Sequence, residues 1–113
     1  RQGHYIAPGS MNSVPAVFML DTGASDVVIP ATLAEDYSLK AMGLSESMTA
    51  NGIITVSQTL IQELSIGEIN LYNVRASINP GMTASQPILL GMSALRHLEL
   101  NQKNKLLTIT QVY

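Results

Sequence analysis

The sequence predicts an all-β domain, a small barrel or sandwich carrying one or two short helices. Three observations predict it. Short apolar runs rich in Val and Ile recur along the chain, cut by Asn-Ser, Asn-Gly, Gly-Glu and Asn-Pro-Gly, and that alternation of apolar run and turn signal is how strands and hairpins read. No segment sustains a helical period long enough to anchor a helical fold. The length of 113 residues, 46% of them apolar, suits one domain with a single core and leaves no room for two. No repeat, linker or low-complexity tract interrupts it.

The elements follow in order. Residues 4–11 are mildly apolar and stop at Asn12-Ser13, after which residues 14–20 resume an apolar run. Two such runs across an Asn-containing turn predict a hairpin. Val27, Val28 and Ile29 form a β-branched strand, which Pro30 ends. Residues 31–39 place Leu33, Ala34, Tyr37 and Leu39 at a brief helical spacing. Residues 48–56 hold the clearest hairpin signal, with Asn51-Gly52 at its tip, because both residues tolerate positive φ. Ile54, Val56, Leu60, Leu64 and Ile66 then fall on even positions, a strand period. Gly67-Glu68 makes a turn, residues 69–78 read as a strand, and Asn79-Pro80-Gly81 breaks the chain. Ile88-Leu89-Leu90 is a compact strand stopped by Gly91, residues 92–98 have helical spacing through Met92, Leu95 and Leu98, and residues 106–109 form a last strand.

Composition excludes several classes. The net charge of -2 gives no electrostatic case for nucleic acid. Without Cys there is no disulfide framework, zinc-thiolate site or thiol nucleophile, and the chain fits an oxidising or a reducing compartment equally. Charged residues make up only 12%, so part of the surface is expected to face another chain. The longest apolar run near the amino end, residues 16–20, is far short of a bilayer span, and no signal-peptide pattern is present. The start at Arg1 rather than Met reads as a segment cut from a longer product. The six Met read as core filler. Gly91-Met92-Ser93-Ala94-Leu95 lacks the second Gly of a nucleophile elbow. His97 lies only four residues from Ser93 on one helical face, a poor place for its base. His4 and His97 read as surface residues, and no metal-ligand spacing appears.

One stretch is chemically unusual. Asp21-Thr22-Gly23 lies between the apolar run Val17-Phe18-Met19-Leu20 and the strand at Val27. Taken alone it is a turn, but an ionised carboxylate between buried strands is costly unless it is paired or used. The block Leu20-Asp21-Thr22-Gly23-Ala24-Ser25, the hairpin around Thr49-Ala50-Asn51-Gly52 and the block Ile88-Leu89-Leu90-Gly91-Met92 follow one another in an order that resembles the retropepsin-like aspartic proteases. Gly3-His4-Tyr5, Thr49-Ala50-Asn51-Gly52 and Leu89-Leu90-Gly91-Met92-Ser93 look like their bacterial members.

The resemblance implies a small closed acid-protease barrel with a flap hairpin and an Asp-Thr-Gly loop. Gly91 would be small so that its strand can pass beneath that loop, with Leu89 and Leu90 packed under Asp21. It implies an aspartic endopeptidase with water as nucleophile and no cofactor, cutting extended segments of a peptide or protein, and the apolar composition points to hydrophobic side chains in those segments. Such enzymes need two carboxylates sharing one proton. The chain has three Asp, at positions 21, 26 and 36, but only one Asp-Thr-Gly, so the second carboxylate would come from another copy in a twofold homodimer. In that scheme Asp21, Thr22 and Gly23 are catalytic: Thr22 would hydrogen-bond across the axis, and Gly23 would bring backbone N–H to the carboxylate, where the plain alternative is positive φ. Ala24 supplies no hydroxyl to the carboxylate, which implies a mildly acidic working pH. Ser25 stands where retroviral members often carry Asp. Asp26 would line a side-chain pocket or remain a solvated charge. Met48, Thr49, Ala50, Asn51, Gly52 and Ile53 would bind substrate as the flap. Arg96 would pair with a loop carboxylate or lie on a solvated helix face. A non-catalytic retropepsin-like domain for dimerisation or peptide binding stays open, as does pairing with a different partner chain. Location at a bacterial envelope or periplasm, and a membrane anchor outside this chain, are implied by resemblance alone.

Overall fold

The computed structural model describes residues 5–49 and 52–112. Among them the chain forms β1 (Ile6–Met11), β2 (Val14–Leu20), β3 (Val27–Pro30), β4 (Gly43–Thr49), β5 (Gly52–Ile66), β6 (Ile69–Asn79), β7 (Ile88–Leu90), α1 (Met92–Leu95), β8 (Leu98–Lys103) and β9 (Leu106–Gln111). The main sheet runs β1-β2-β7-β3-β6-β5-β4, and β1 pairs again with β5. That second pairing closes six strands into a barrel and leaves β4 outside as an extension of β5. The expected closed β barrel is therefore present.

The β1–β2 hairpin turns on Asn12 and Ser13, with φ of 51° and 70°, a pair of left-handed residues that matches the twist of the flanking strands. Asn12 also ties the barrel together. Its backbone N–H donates to the Glu63 carbonyl at 2.7 Å, its Oδ1 accepts from the Glu63 N–H at 3.1 Å, and its Nδ2 donates to the Tyr37 carbonyl at 2.8 Å.

Phe18, Met11, Val27, Ile29, Ile61, Leu64 and Leu90 fill the barrel interior and are almost wholly shielded from solvent. Each such side chain stabilises the fold by about 1.5–3 kcal/mol through burial. The β5 pattern differs from the even-numbered period expected of it. Thr59 and Ile61 point inward, Leu60 is exposed, and Leu64 and Ile66 are inward again. The phase reverses at Gln62, opposite Asn73, where the ladder of pairs is interrupted and Asn73 has a φ of 54°. A left-handed residue cannot continue the pleat, so the buried face changes parity on both strands.

Three further expectations change. Residues 31–39 form one 3-10 turn at Ala31–Leu33 followed by turns, not a helix; the segment lacks a side-chain cap and its carbonyls are taken up by i+3 bonds from Ala34 and Ser38. The helix after Gly91 stops at Leu95, and Leu98 begins β8. Of the Met residues, Met11 and Met19 are core, whereas Met42, Met48 and Met92 are exposed.

Candidate active site

The strand β7 lies between β2 and β3, parallel to β2 through Leu20↔Leu90 and antiparallel to β3 through Val28↔Leu89. Residues 21–26 must therefore arch over the end of β7 to join its two neighbours. The arch is clamped from below. The Asp21 N–H donates to the Leu90 carbonyl at 3.1 Å, and the N–H groups of Met92 and Ser93 donate to the carbonyls of Ala24 and Ser25, each at 2.8 Å. Leu90 is core while Leu89 is half-buried and faces the cleft. The expected place in the core therefore holds for Leu90, while Leu89 lines the cleft together with Asp21.

Asp21 is half-buried on the floor of a cleft of about 810 Å³. Its Oδ1 accepts the Gly23 N–H at 2.9 Å, which orients the carboxylate. A methyl group on Gly23 would sit 3.2 Å from that oxygen, and Gly23 is not among the glycines with positive φ. Close approach, not left-handed geometry, is thus what Gly supplies here.

Gly23, Ala24, Ser25, Asp26 and Met48 share the cleft with Asp21. Thr22 is exposed and lines a smaller cavity of about 230 Å³ beside the loop. Thr49 pairs with Gly52 at the end of the β4–β5 hairpin, so the residues connecting these strands are Ala50 and Asn51, which lie outside the described residues. Of the expected tip at Asn51-Gly52, Asn51 lies outside the described residues and Gly52 heads β5 at a φ of 115°. Met48 and Ile53 face each other across the strands, 80% and 60% exposed.

Around Asp26 the cleft also contains residues not singled out in the sequence, Arg75 and Ser77 first among them. Asp26 is mostly covered, its Oδ2 accepts from the Ser77 hydroxyl at 3.2 Å, and its Oδ1 faces Arg75 Nε at 3.4 Å. It is neither a free surface charge nor a partner of Arg96. Arg96 makes no ion pair among the described residues. Arg75 and Ser77 reach the loop because β6 runs parallel to β3, with Val27 opposite Ala76. Ser45, Glu46 and Ser47 of β4, with Val56 and Gln58 of β5, form the facing wall.

Ser93 is buried, and its hydroxyl is fully engaged, accepting from the Val27 N–H at 3.1 Å and donating to the Arg75 carbonyl at 2.7 Å. It braces the loop and offers no nucleophile to a substrate.

An Asp-Thr-Gly arch clamped by an apolar-apolar-Gly strand, inside a closed six-stranded barrel, is matched by one family model, "gag-polyprotein putative aspartyl protease", over residues 7–97. The chain belongs to this family. The aspartyl protease family model spans the barrel, both arms of the β4–β5 hairpin and α1. A crystal structure of a retropepsin-like aspartic protease from Rickettsia conorii is similar at 27% identity and a TM-score of 0.72, covering 97% of this chain and 92% of that one. The fold is thus retropepsin-like. An "Uncharacterized protein in cobV 5'region" from Sinorhizobium sp. is 33% identical over 103 residues, 88% of this chain. The chain spans 44% of that relative's length.

Proposed function

We propose that the chain is an aspartic endopeptidase that works as a homodimer, the Asp21 carboxylates of two copies meeting at a twofold axis over one water. The observation that carries this reading is the setting of Asp21, half-buried on the cleft floor and oriented by the Gly23 N–H. The other aspartates are unsuited to be its partner within one chain: Asp26 is held by Ser77 and Arg75, and Asp36 is exposed and does not line the cleft.

Two like charges in contact resist ionising together, so the pair retains one proton. The ionised carboxylate takes a proton from the water as it attacks, and the protonated one donates to the peptide oxygen. Thr22 hydrogen-bonds between the loops of the two copies. Ala24, Ser25 and Asp26 contact the substrate from below. Met48, Thr49, Ala50, Asn51, Gly52 and Ile53 cover it, pairing with an extended peptide by strand addition. The half-buried apolar walls at Val28 and Leu89 support apolar side chains at some positions of that peptide.

Self-association has independent support. The β8–β9 hairpin forms a separate two-stranded sheet and carries Leu106 at 68% exposure, with Leu100 and Val112 also open to solvent. An isolated hairpin is marginal in water, and pairing with its counterpart in a second copy would cover these side chains.

The test is digestion of a peptide library by the purified protein at several pH values, with sedimentation velocity on the same samples. Cleavage is expected to be blocked by a statine-type transition-state mimic, to be abolished by Asp21→Asn with the fold intact, and to follow the dimer fraction. Hydrolysis by a strictly monomeric protein, or by the Asp21→Asn variant, would overturn the proposal.

A further inference from the structure

We infer that Arg75 and Arg96 form a cationic subsite beside the Asp21 loop that selects an acidic side chain of the bound peptide, an inference that rests on the peptidase reading above. The smaller cavity next to the catalytic cleft, about 230 Å³, is walled by both guanidinium-bearing residues together with Thr22 and Ser25, and no carboxylate residue lines it. Gly23, Ala24, Ser25 and Arg75 line this cavity and the cleft alike. The cavity therefore adjoins the cleft along these four residues.

Both arginines are held by the same brace. Ser93 Oγ donates to the Arg75 carbonyl at 2.7 Å. The Met92 and Ser93 N–H groups fix the start of α1 to the carbonyls of Ala24 and Ser25, and Arg96 follows one turn later with its N–H on the Met92 carbonyl. Arg75 is 64% exposed, and its one carboxylate contact among the described residues is Asp26 through Nε at 3.4 Å. Asp26, itself steadied by the Ser77 hydroxyl, is thus a positioning residue that aims the rest of the guanidinium fork outward. Such a fork matches the geometry of a carboxylate. Arg96 adds a second positive charge with no ion-pair partner among the described residues. A Lys in the peptide would meet two like charges here, and a large aliphatic side chain would strip water from them without replacing it.

The experiment uses peptides identical except for one residue, set to Glu, Gln, Leu or Lys at each position around the cleaved bond. Cleavage is measured with the wild-type protein and binding with Asp21→Asn protein by fluorescence anisotropy. At one position Glu is expected to exceed Gln roughly tenfold, the scale of one charge-assisted hydrogen bond, with Lys the poorest. Arg96→Glu is expected to move the preference toward Lys. The double variant Arg75→Gln with Asp26→Asn removes both charges without stranding Asp26 and is expected to erase the preference for Glu. Equal handling of Glu and Lys at every position overturns the inference, as does a Glu preference that survives both variants. A change confined to dimer sedimentation overturns it in favour of a contact between copies. If no peptide is cut yet Glu peptides still bind the Asp21→Asn protein selectively, the peptidase reading fails and the subsite stands.

Discussion

Gly91 lies directly beneath Asp26: a side-chain carbon on Gly91 would stand 2.0 Å from the Asp26 carbonyl oxygen and 2.7 Å from that of Ala24. Neither obstacle is a flexible side chain. Both are backbone oxygens of the arch, and the Ala24 carbonyl is already occupied by the Met92 N–H. The sharp descent of the chain from β7 into α1 is possible only because residue 91 has no side chain.

Gly91→Ala is therefore expected to be among the most damaging single substitutions, costing about 3 kcal/mol or more, since the clash can be relieved only by moving backbone. The Asp21 N–H hangs on the Leu90 carbonyl, so any relief displaces the carboxylate too. Urea unfolding should show a large drop in midpoint, and the residual folded protein should be inactive. A near-wild-type midpoint would contradict the clamp.

Ser93→Ala separates a bracing role from a nucleophilic one. It leaves the buried Val27 N–H and the Arg75 carbonyl without their shared partner, which costs about 2–3 kcal/mol. Peptide hydrolysis measured well below the lowered melting temperature should persist. Loss of hydrolysis in a folded Ser93→Ala protein would return Ser93 to the reacting groups.

The parts of this structure that were legible in the sequence are those governed by local chemistry. Asn12-Ser13 announces its hairpin because Asn tolerates left-handed φ, and the Asp21 arch announces itself by putting a carboxylate between apolar runs. The same turn chemistry recurs at Asn104-Lys105, with φ of 52° and 65°. The strand before it, β8, went unread because Glu99, Asn101, Gln102 and Lys103 leave no apolar period. The phase reversal at Gln62 and Asn73 hides within a pattern that looks continuous in one dimension. Arg75 and Ser77 could not be found by any local rule, because they join the site only through the parallel pairing of β3 with β6. That pairing brings together segments some fifty residues apart, as the contact of Ser77 with Asp26 records.

The β4–β5 hairpin, proposed above to cover the peptide, offers a case in which function and stability should part. Met48 and Ile53 are large, apolar and exposed, an arrangement that contributes little to the folded state. Replacing either with Ser is expected to change stability by no more than about 0.5 kcal/mol. Peptide affinity should nevertheless fall and KM rise, because these side chains would be covered only when the hairpin closes on a substrate. Equal KM values for wild type and both variants would argue against closure by this hairpin.

Tyr37 supplies a test in alkali. Its ring is buried, and its hydroxyl donates to the Pro15 carbonyl at 2.8 Å. Burial pushes the phenol above its ordinary value of 10.0, and the neighbouring Asp36 charge pushes it in the same direction. The folded protein thus holds this proton more tightly than the unfolded chain does. The resulting stabilisation is complete below the unfolded value and declines as pH rises past it. Tyr37→Phe should lose about 1 kcal/mol near neutral pH through the missing hydrogen bond. It should then decline less steeply than wild type between about pH 9 and about pH 11, where the unfolded chain would otherwise release this proton first. Urea midpoints collected across that range decide the matter: parallel curves for the two proteins would mean that Tyr37 is not the group that makes the barrel sensitive to base.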